Sequence, residues 1–337
     1  MVLKKVTAIV LSLMTLLLCS CREYDFYSKA TYSTADIFAM DTIITVRLAG
    51  EVEESVFDEC EKIIKDIEAL LSKTVAKSEV ARLNAAKADE AVSMPASSEL
   101  IRLALEVSEK TDGAFDITLE PLTRLWDVTE KGFTPPDEES IADALSHIGA
   151  DKLVFDGDTV KKTDACAGID LGGIGKGMAA QAVCEHLESL GYIGTVSFGG
   201  NIGTVSQKSD GEPFVIAIKS PFDTSKMIGT LKLDRGFVAV SAAYERYAEI
   251  DGVKYHHIID PETGRPSDSD IASAVAISKN GALADALSTA LFVMGSERAI
   301  ELYGQNAFDF EAVIIKNNGE IILTDGLENG SFAPING

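Results

Sequence analysis

The chain has 337 residues, with 53 Asp and Glu against 30 Lys and Arg, a formal net charge of −23. Such an acidic surface repels phosphate backbones, which argues against nucleic-acid partners and requires any anionic ligand to be met by a metal ion or by local donors. Beyond two cysteines near the N-terminus, three scattered cysteines make neither a disulfide framework nor a CxxC metal site, and four histidines, two of them adjacent, leave little room for a His-rich zinc centre.

Lys4 and Lys5 precede an apolar run from Val6 to Leu18, which closes on Cys19-Ser20-Cys21. That order of charge, apolar core and small residue reads as a secretory signal over residues 1–20. The run is too short to span a bilayer, which takes about 20 apolar residues. Leu18-Cys19-Ser20-Cys21 also resembles a bacterial lipoprotein signal. Cys21 fits acylation better than Cys19, because bulky Leu18 would stand at the cleavage point before Cys19; an ordinary secretory peptide with incidental cysteines is the alternative. An acylated Cys21 holds a protein at a membrane surface without crossing it. The expectation is therefore export, lipid-anchored on the outer face of the cytoplasmic membrane or in the periplasm. Cleavage before Cys21 removes two lysines and no acid, so the mature charge is 28 − 53 = −25. Residues 21–36, polar and unpatterned, read as a tether, and 37–337 as one body.

Along that body, residues 42–48 read as a strand. Val56, Cys60, Ile63, Ile64, Ile67, Leu70 and Leu71 recur at helical spacing and form one buried stripe. Leu100, Ala104 and Val107 mark a second helix, entered through Ser97-Ser98 after Pro95. Residues 131–140, with Pro135-Pro136, form a loop within the fold. Strands follow at 153–155, 195–198, 214–219, 228–233, 237–241, 255–259, 271–278, 312–315 and 321–324. Asp251-Gly252 and Asn318-Gly319 are hairpin chemistry between apolar runs. Helices are expected over 177–190, stopped by Gly191, and over 283–294, stopped by Gly295. Helices and hairpins in blocks favour an α+β fold over a doubly wound sheet.

Four segments carry chemistry. Thr111 to Thr118 closes the second helix at Gly113, and Ala114-Phe115-Asp116 then either cradles a planar ring or caps the core. In Ile169-Asp170-Leu171-Gly172-Gly173-Ile174-Gly175-Lys176-Gly177, glycines let backbone approach a ligand, and the helix that follows offers free N–H groups to phosphate. A P-loop is excluded: Asp170 stands where its first glycine belongs and Gly177 where its Ser or Thr belongs. A glycine-rich turn before a helix is equally consistent with a purely structural role. Tyr255 to Pro266 ends a strand in Asp-Pro and a turn. Adjacent strand residues face opposite sides, so one of His256 and His257 faces a site while the other packs or meets solvent. An imidazole beside a bound phosphate can serve as general base, although structural histidines are more common. Asp285, Ser288 and Thr289 share one helix face at i, i+3 and i+4. A carboxylate with hydroxyls suits a hard cation such as Mg2+, and an Asp interacting with a helix dipole is the plainer alternative.

Taken in order, Met40-Asp41-Thr42, Ser78 to Asn84, Gly113 to Asp116, Asp170 to Gly177, Gly199-Gly200-Asn201-Ile202, His257 to Pro261 and Asp285 to Thr289 resemble the FAD:protein FMN transferase (ApbE) family. The resemblance runs from about Met40 to Gly295. It implies an α+β fold with a T-fold-like core of mixed or antiparallel sheets and packed helices. It implies Mg2+-dependent transfer of FMN from FAD to a Thr or Ser hydroxyl of an acceptor flavoprotein, with release of AMP. Acceptors in that family are subunits of membrane redox complexes or exported reductases. Carried over by position, Met40, Ala114, Phe115, Asp116, Asp170, Lys176 and Ile259 fall on flavin-nucleotide contacts. Gly173, Asp285 and Thr289 fall on the metal site, where Ser288 stands at a position some members fill with a second Asp. His257 falls on the proposed base. The sequence departs from the pattern at Asp41, Thr74 and Ala242-Ala243. Two other readings of the same motifs are an FAD pyrophosphatase giving FMN and AMP, and a lipid-anchored flavin binder without turnover.

Overall fold

The computed structural model describes residues 31–335. The signal, Cys21 and most of the tether lie outside the described residues.

Eight strands make the central sheet: β1 (Tyr32–Ala39), β2 (Thr42–Ala49), β3 (Gly194–Phe198), β4 (Asn201–Val205), β5 (Phe237–Ala242), β6 (Ile271–Ser278), β7 (Glu311–Lys316) and β8 (Ile321–Leu323). They lie side by side in chain order, and every neighbouring pair is antiparallel. Most helices and small-sheet strands are excursions between consecutive strands, and the strand of residues 332–334 follows the last of them. Three long helices set the site: α1 (Glu54–Leu71), α2 (Gly175–Ser189) and α3 (Gly281–Gly304).

Side-chain alternation along β5–β7 divides the sheet into two faces. Ala239, Ala274, Ala276 and Ala312 face α2 and α3 in the larger core. Val238, Val275, Ile277, Val313 and Ile315 face a second core under the three-stranded sheet of residues 214–219, 227–233 and 332–334. The alanines matter because small residues under a helix let its axis approach the sheet closely. Ala284, Ala286 and Ala290 of α3, all buried, complete that contact. Between β2 and β3, four further helices and a small sheet of residues 92–93, 153–156 and 159–162 form a cap.

The α+β expectation holds, as do most strand positions, but four local readings change. β1 begins at Tyr32 and pairs along its whole length with β2, so residues 32–36 belong to the sheet rather than to a tether. The stretch 255–259 is two strands, because the chain leaves its hairpin at His256 and pairs again only at Ile259 with Pro266. The loop ends earlier than 140, since a helix spans Glu138–Ser146 with Asp137 as its cap. α3 breaks at Gly295, where φ is 81°, but resumes at once. The Ser296 N–H and hydroxyl both donate to the Asp270 carboxylate, which caps the second segment and lets the helix continue past its expected stop.

Candidate active site

The glycine-rich run folds against both helix starts. Ile174 precedes α2 without a side-chain cap. The carboxylate of Asp285, on α3, supplies the missing acceptor: Gly177 N–H donates to its Oδ2 at 2.9 Å. Gly177 must be glycine here. A Cβ would lie 2.7 Å from Asp285 Cβ and inside the Gly281 carbonyl group, because α2 and α3 touch backbone to backbone. Lys176 then turns its ammonium toward the same oxygens, 3.7 Å from Asp285 Oδ1 and 3.1 Å from the Gly172 carbonyl.

Gly173 sits beside Phe115 and Thr289. The Cβ it lacks would fall 3.1 Å from Phe115 Cε2 and 3.7 Å from Thr289 Oγ1. Ser241 Oγ, on β5, lies 3.2 Å from Thr289 Oγ1 and 2.9 Å from Ser288 Oγ. Ser288 is fully buried and its hydroxyl already donates to the Asp285 carbonyl, so it braces the helix from behind. The buried carboxylate of Asp285, the Thr289 hydroxyl and the neighbouring carbonyls are hard oxygen donors of the kind Mg2+ prefers, and the nearby Lys176 ammonium marks where negative charge collects. The residues present fit the ion.

Asp170 closes the other side. Its Oδ2 accepts from Lys73 Nζ at 2.7 Å and Thr123 Oγ1 at 2.9 Å, and its Oδ1 from Gly172 N–H at 2.9 Å. Burial alone would raise its carboxyl, but the Lys73 ammonium and these hydrogen bonds hold it below the usual range. Asp170 N–H also donates to the Ile117 carbonyl, which ties the segment holding buried Ala114 and Phe115 to the glycine loop. Asp116 accepts from Thr118 N–H and Oγ1, both at 2.7 Å, while burial raises its carboxyl.

Met40 and Asp41 form the β1–β2 turn with φ of 51° and 56°, the left-handed pair of a type I′ hairpin. Glu68 of α1 holds the turn by accepting Met40 N–H at 2.7 Å, and Arg246 donates to the Asp41 carbonyl at 3.2 Å. A Cβ on Gly175 would be 3.7 Å from Met40 Cε, so the methionine reaches the start of α2.

The two histidines separate, although not by strand alternation: His256 ends its strand and His257 lies in the bend that follows. His256 is buried, 2.9 Å from the Ser267 carbonyl and edge-on to Phe292. His257 is half-buried, its N–H donating to the Arg246 carbonyl at 3.1 Å and its ring Nδ1 3.2 Å from the same oxygen. Burial pushes the His257 imidazole down to about 4, with the Lys176 and Arg246 cations acting in the same sense against the Arg246 carbonyl. It is therefore an unprotonated base at neutral pH, near the lysine that touches Asp285. Ile259 is buried in a small cluster with Leu122, Trp126 and Ile141.

Sequence reasoning passed over three groups here. Lys73 and Thr123 neutralise Asp170 from remote positions, and no local pattern marks them. Asn201, part of a quoted motif, is buried with no partner for its Nδ2. It follows Gly200, whose missing Cβ would be 2.8 Å from Glu245 Oε1. An orphaned buried amide at the end of the glycine pair is a donor available to a ligand.

A family model described as the ApbE family matches residues 40–314. The FAD:protein FMN transferase of Haemophilus influenzae is 31% identical over 284 residues, covering 79% of this chain and 80% of that protein. The FAD:protein FMN transferase of Klebsiella pneumoniae is 32% identical over 269 residues, covering 78% and 83%. The crystal structure of an ApbE protein from Thermotoga maritima matches with a TM-score of 0.81 at 31% identity, covering 89% of this chain and 99% of that one. The flavin transferase ApbE from Vibrio cholerae gives 0.80 at 25% identity with the same coverage. With a family model spanning most of the chain and whole-fold matches on the same residues, this chain belongs to the ApbE family.

Proposed function

We propose that the protein transfers FMN from FAD to a Thr or Ser hydroxyl of an acceptor flavoprotein, releasing AMP. The observation that carries this reading is the convergence of Asp285, Thr289, Lys176 and the glycine loop at the two helix starts, with unprotonated His257 nearby. The acceptor oxygen attacks the FMN-side phosphorus, its proton passes to the His257 imidazole, and the bond to the AMP phosphate breaks. The Lys176 ammonium, at the start of α2, faces the developing negative charge. Asp170, held ionised by Lys73 and Thr123, fixes the glycine loop. Asp285, Thr289 and the Gly173 carbonyl would hold Mg2+, which when bound offsets the charge of the pyrophosphate.

Purified protein incubated with FAD and Mg2+, with and without an acceptor, tests this. Covalent flavin on the acceptor with stoichiometric AMP supports transfer. FMN and AMP formed equally well without acceptor mean hydrolysis, and no AMP under either condition means a binding protein.

The depressed His257 gives a pH signature. A base whose folded pKa lies near 4 stays unprotonated down to that value, so activity is lost only as pH falls through it. The acid limb of kcat/KM, which reports the free enzyme, is expected near pH 4 rather than near the ordinary imidazole value of about 6.5. An acid limb at 6.5 or above removes His257 from this role.

The N-terminal signal supports export with a lipid anchor at Cys21, and acceptors of the same compartment: membrane redox-complex subunits or exported reductases. Cys21→Ala is expected to shift the protein from the membrane fraction to the soluble one. Unchanged fractionation rules out the anchor.

A further inference from the structure

A second cluster of ligating groups forms in the cap, away from the oxygen-lined site. The helix Glu138–Ser146 ends on His147 as its C-cap. The turn that follows strand Thr159–Lys162 brings Asp164 and Cys166 against it. One ligand atom from each of His147, Asp164 and Cys166 lies within 4.8 Å of the other two. His147 Nδ1 is 2.6 Å from Asp164 Oδ2. On the other side of the ring, Asp143 Oδ1 is 3.8 Å from Nε2.

The turn is built rather than loose. Asp164 Oδ1 accepts Cys166 N–H at 2.8 Å. Lys162 is fully buried, and its ammonium donates to three carbonyls: Ala167 at 2.7 Å, Asn84 at 2.9 Å and Ala165 at 3.0 Å. A buried cation bonded to backbone oxygens on both sides of Cys166 fixes that loop with the thiol outward. Cys60 and Cys184 are buried, and burial raises both thiols, so Cys166 is the one exposed cysteine among the described residues.

We propose that His147, Asp164 and Cys166 form a Zn2+ site, with the imidazole binding through Nδ1, water in the fourth position and Asp143 orienting the ring from Nε2. Nitrogen, sulfur and carboxylate oxygen together select a borderline-soft tetrahedral ion over Mg2+. Zinc bonds of about 2.0–2.3 Å put neighbouring ligands roughly 3.3–3.8 Å apart; the His147–Asp164 pair, now at 2.6 Å, opens to admit the ion and the wider contacts, within 4.8 Å, close on it, both within the reach of side-chain rotation. The imidazole binds in its neutral form. The thiol gives its proton to solvent as the Zn–S bond forms, so one proton is released per ion bound from this residue. A filled site cross-links the helix end to the loop. It also adjoins the flavin site: Gly149 N–H donates to Thr118 Oγ1, which donates to Asp116.

The test uses the full chain in saturating Mg2+, which keeps the oxygen-lined site occupied, titrated with Co2+ as a spectroscopic probe. A thiolate-to-cobalt charge-transfer band at one ion per chain, erased by Zn2+, is expected. Cys166→Ser should abolish the band, and His147→Gln should weaken binding by at least about tenfold. Zn2+ should also slow alkylation of Cys166, located by peptide mapping, and raise the unfolding temperature of the wild type but not of Cys166→Ser. If His147→Gln folds poorly, the exposed Cys166→Ser carries the comparison. Absence of the band in folded wild type, its persistence in Cys166→Ser, or alkylation indifferent to Zn2+ overturns the proposal.

Discussion

Asp285→Asn is expected to abolish FMN transfer at millimolar Mg2+, a loss of about a thousandfold or more, since charge stabilisation by a bound ion is worth several kcal/mol. Asparagine is the informative replacement. Its amide oxygen can still accept Gly177 N–H, so the start of α2 keeps its acceptor and the contact with Gly281 survives. Only the charge is removed. Thr289→Val should cost less, because a hydroxyl orients an ion without attracting it. Ser288→Asp, by contrast, would drive a carboxylate into a fully buried position whose hydroxyl now serves the Asp285 carbonyl and Ser241, and is expected to lower stability. Transfer is read as covalent flavin fluorescence on the acceptor. Full activity in Asp285→Asn, or in wild type after chelation, would show that these helix starts hold no catalytic cation.

His257→Ala should lower transfer by about 10²–10⁴-fold while FAD binding stays within a few-fold, the range for losing a general base. The imidazole is held by the Arg246 carbonyl, and Arg246 in turn holds the Met40-Asp41 turn through the Asp41 carbonyl, so the base is positioned by the same contacts that shape the pocket. His256→Ala removes the contact with the Ser267 carbonyl and the edge of Phe292, which predicts lower thermal stability with transfer largely retained. Equal, small effects on transfer from both variants would reduce His257 to a packing residue.

Legibility in the sequence followed burial. The α1 stripe and strand β6 were readable because their burial is continuous: Val56, Cys60, Ile64, Ile67 and Leu71 are buried at helical spacing, and six of the eight residues of β6 run buried in succession, Ser273 and Ser278 among otherwise apolar side chains. β1 was not readable, because only Ile37 and Ala39 are buried while Phe38 stands exposed at the sheet edge, so its pattern is faint. The continuation of α3 was hidden for a different reason. Gly295 is a true break, and the residue that restarts the helix, Asp270, belongs to another element. The candidate site divides the same way. Asp285 and Thr289 announce themselves by spacing on one helix, and Gly173 by its glycine run. Lys73, Thr123 and Glu68 act across tens of residues, and the cluster at His147 exists only because a helix end meets a turn seventeen positions later.

Chain order in the central sheet has a consequence for how the protein folds. The β1–β2 hairpin ends at Ala49, but its partner β3 does not begin until Gly194, after the entire cap. Closing that loop costs chain entropy before any ladder bond repays it, so the hairpin waits with Ile44, Val46 and Leu48 uncovered and one backbone edge open. During synthesis from the N-terminus this interval lasts until the strand at Gly194 has emerged. An open edge beside apolar side chains is a template for intermolecular pairing. Aggregation during refolding should therefore begin at this hairpin, and variants that loosen the cap should prolong the exposure.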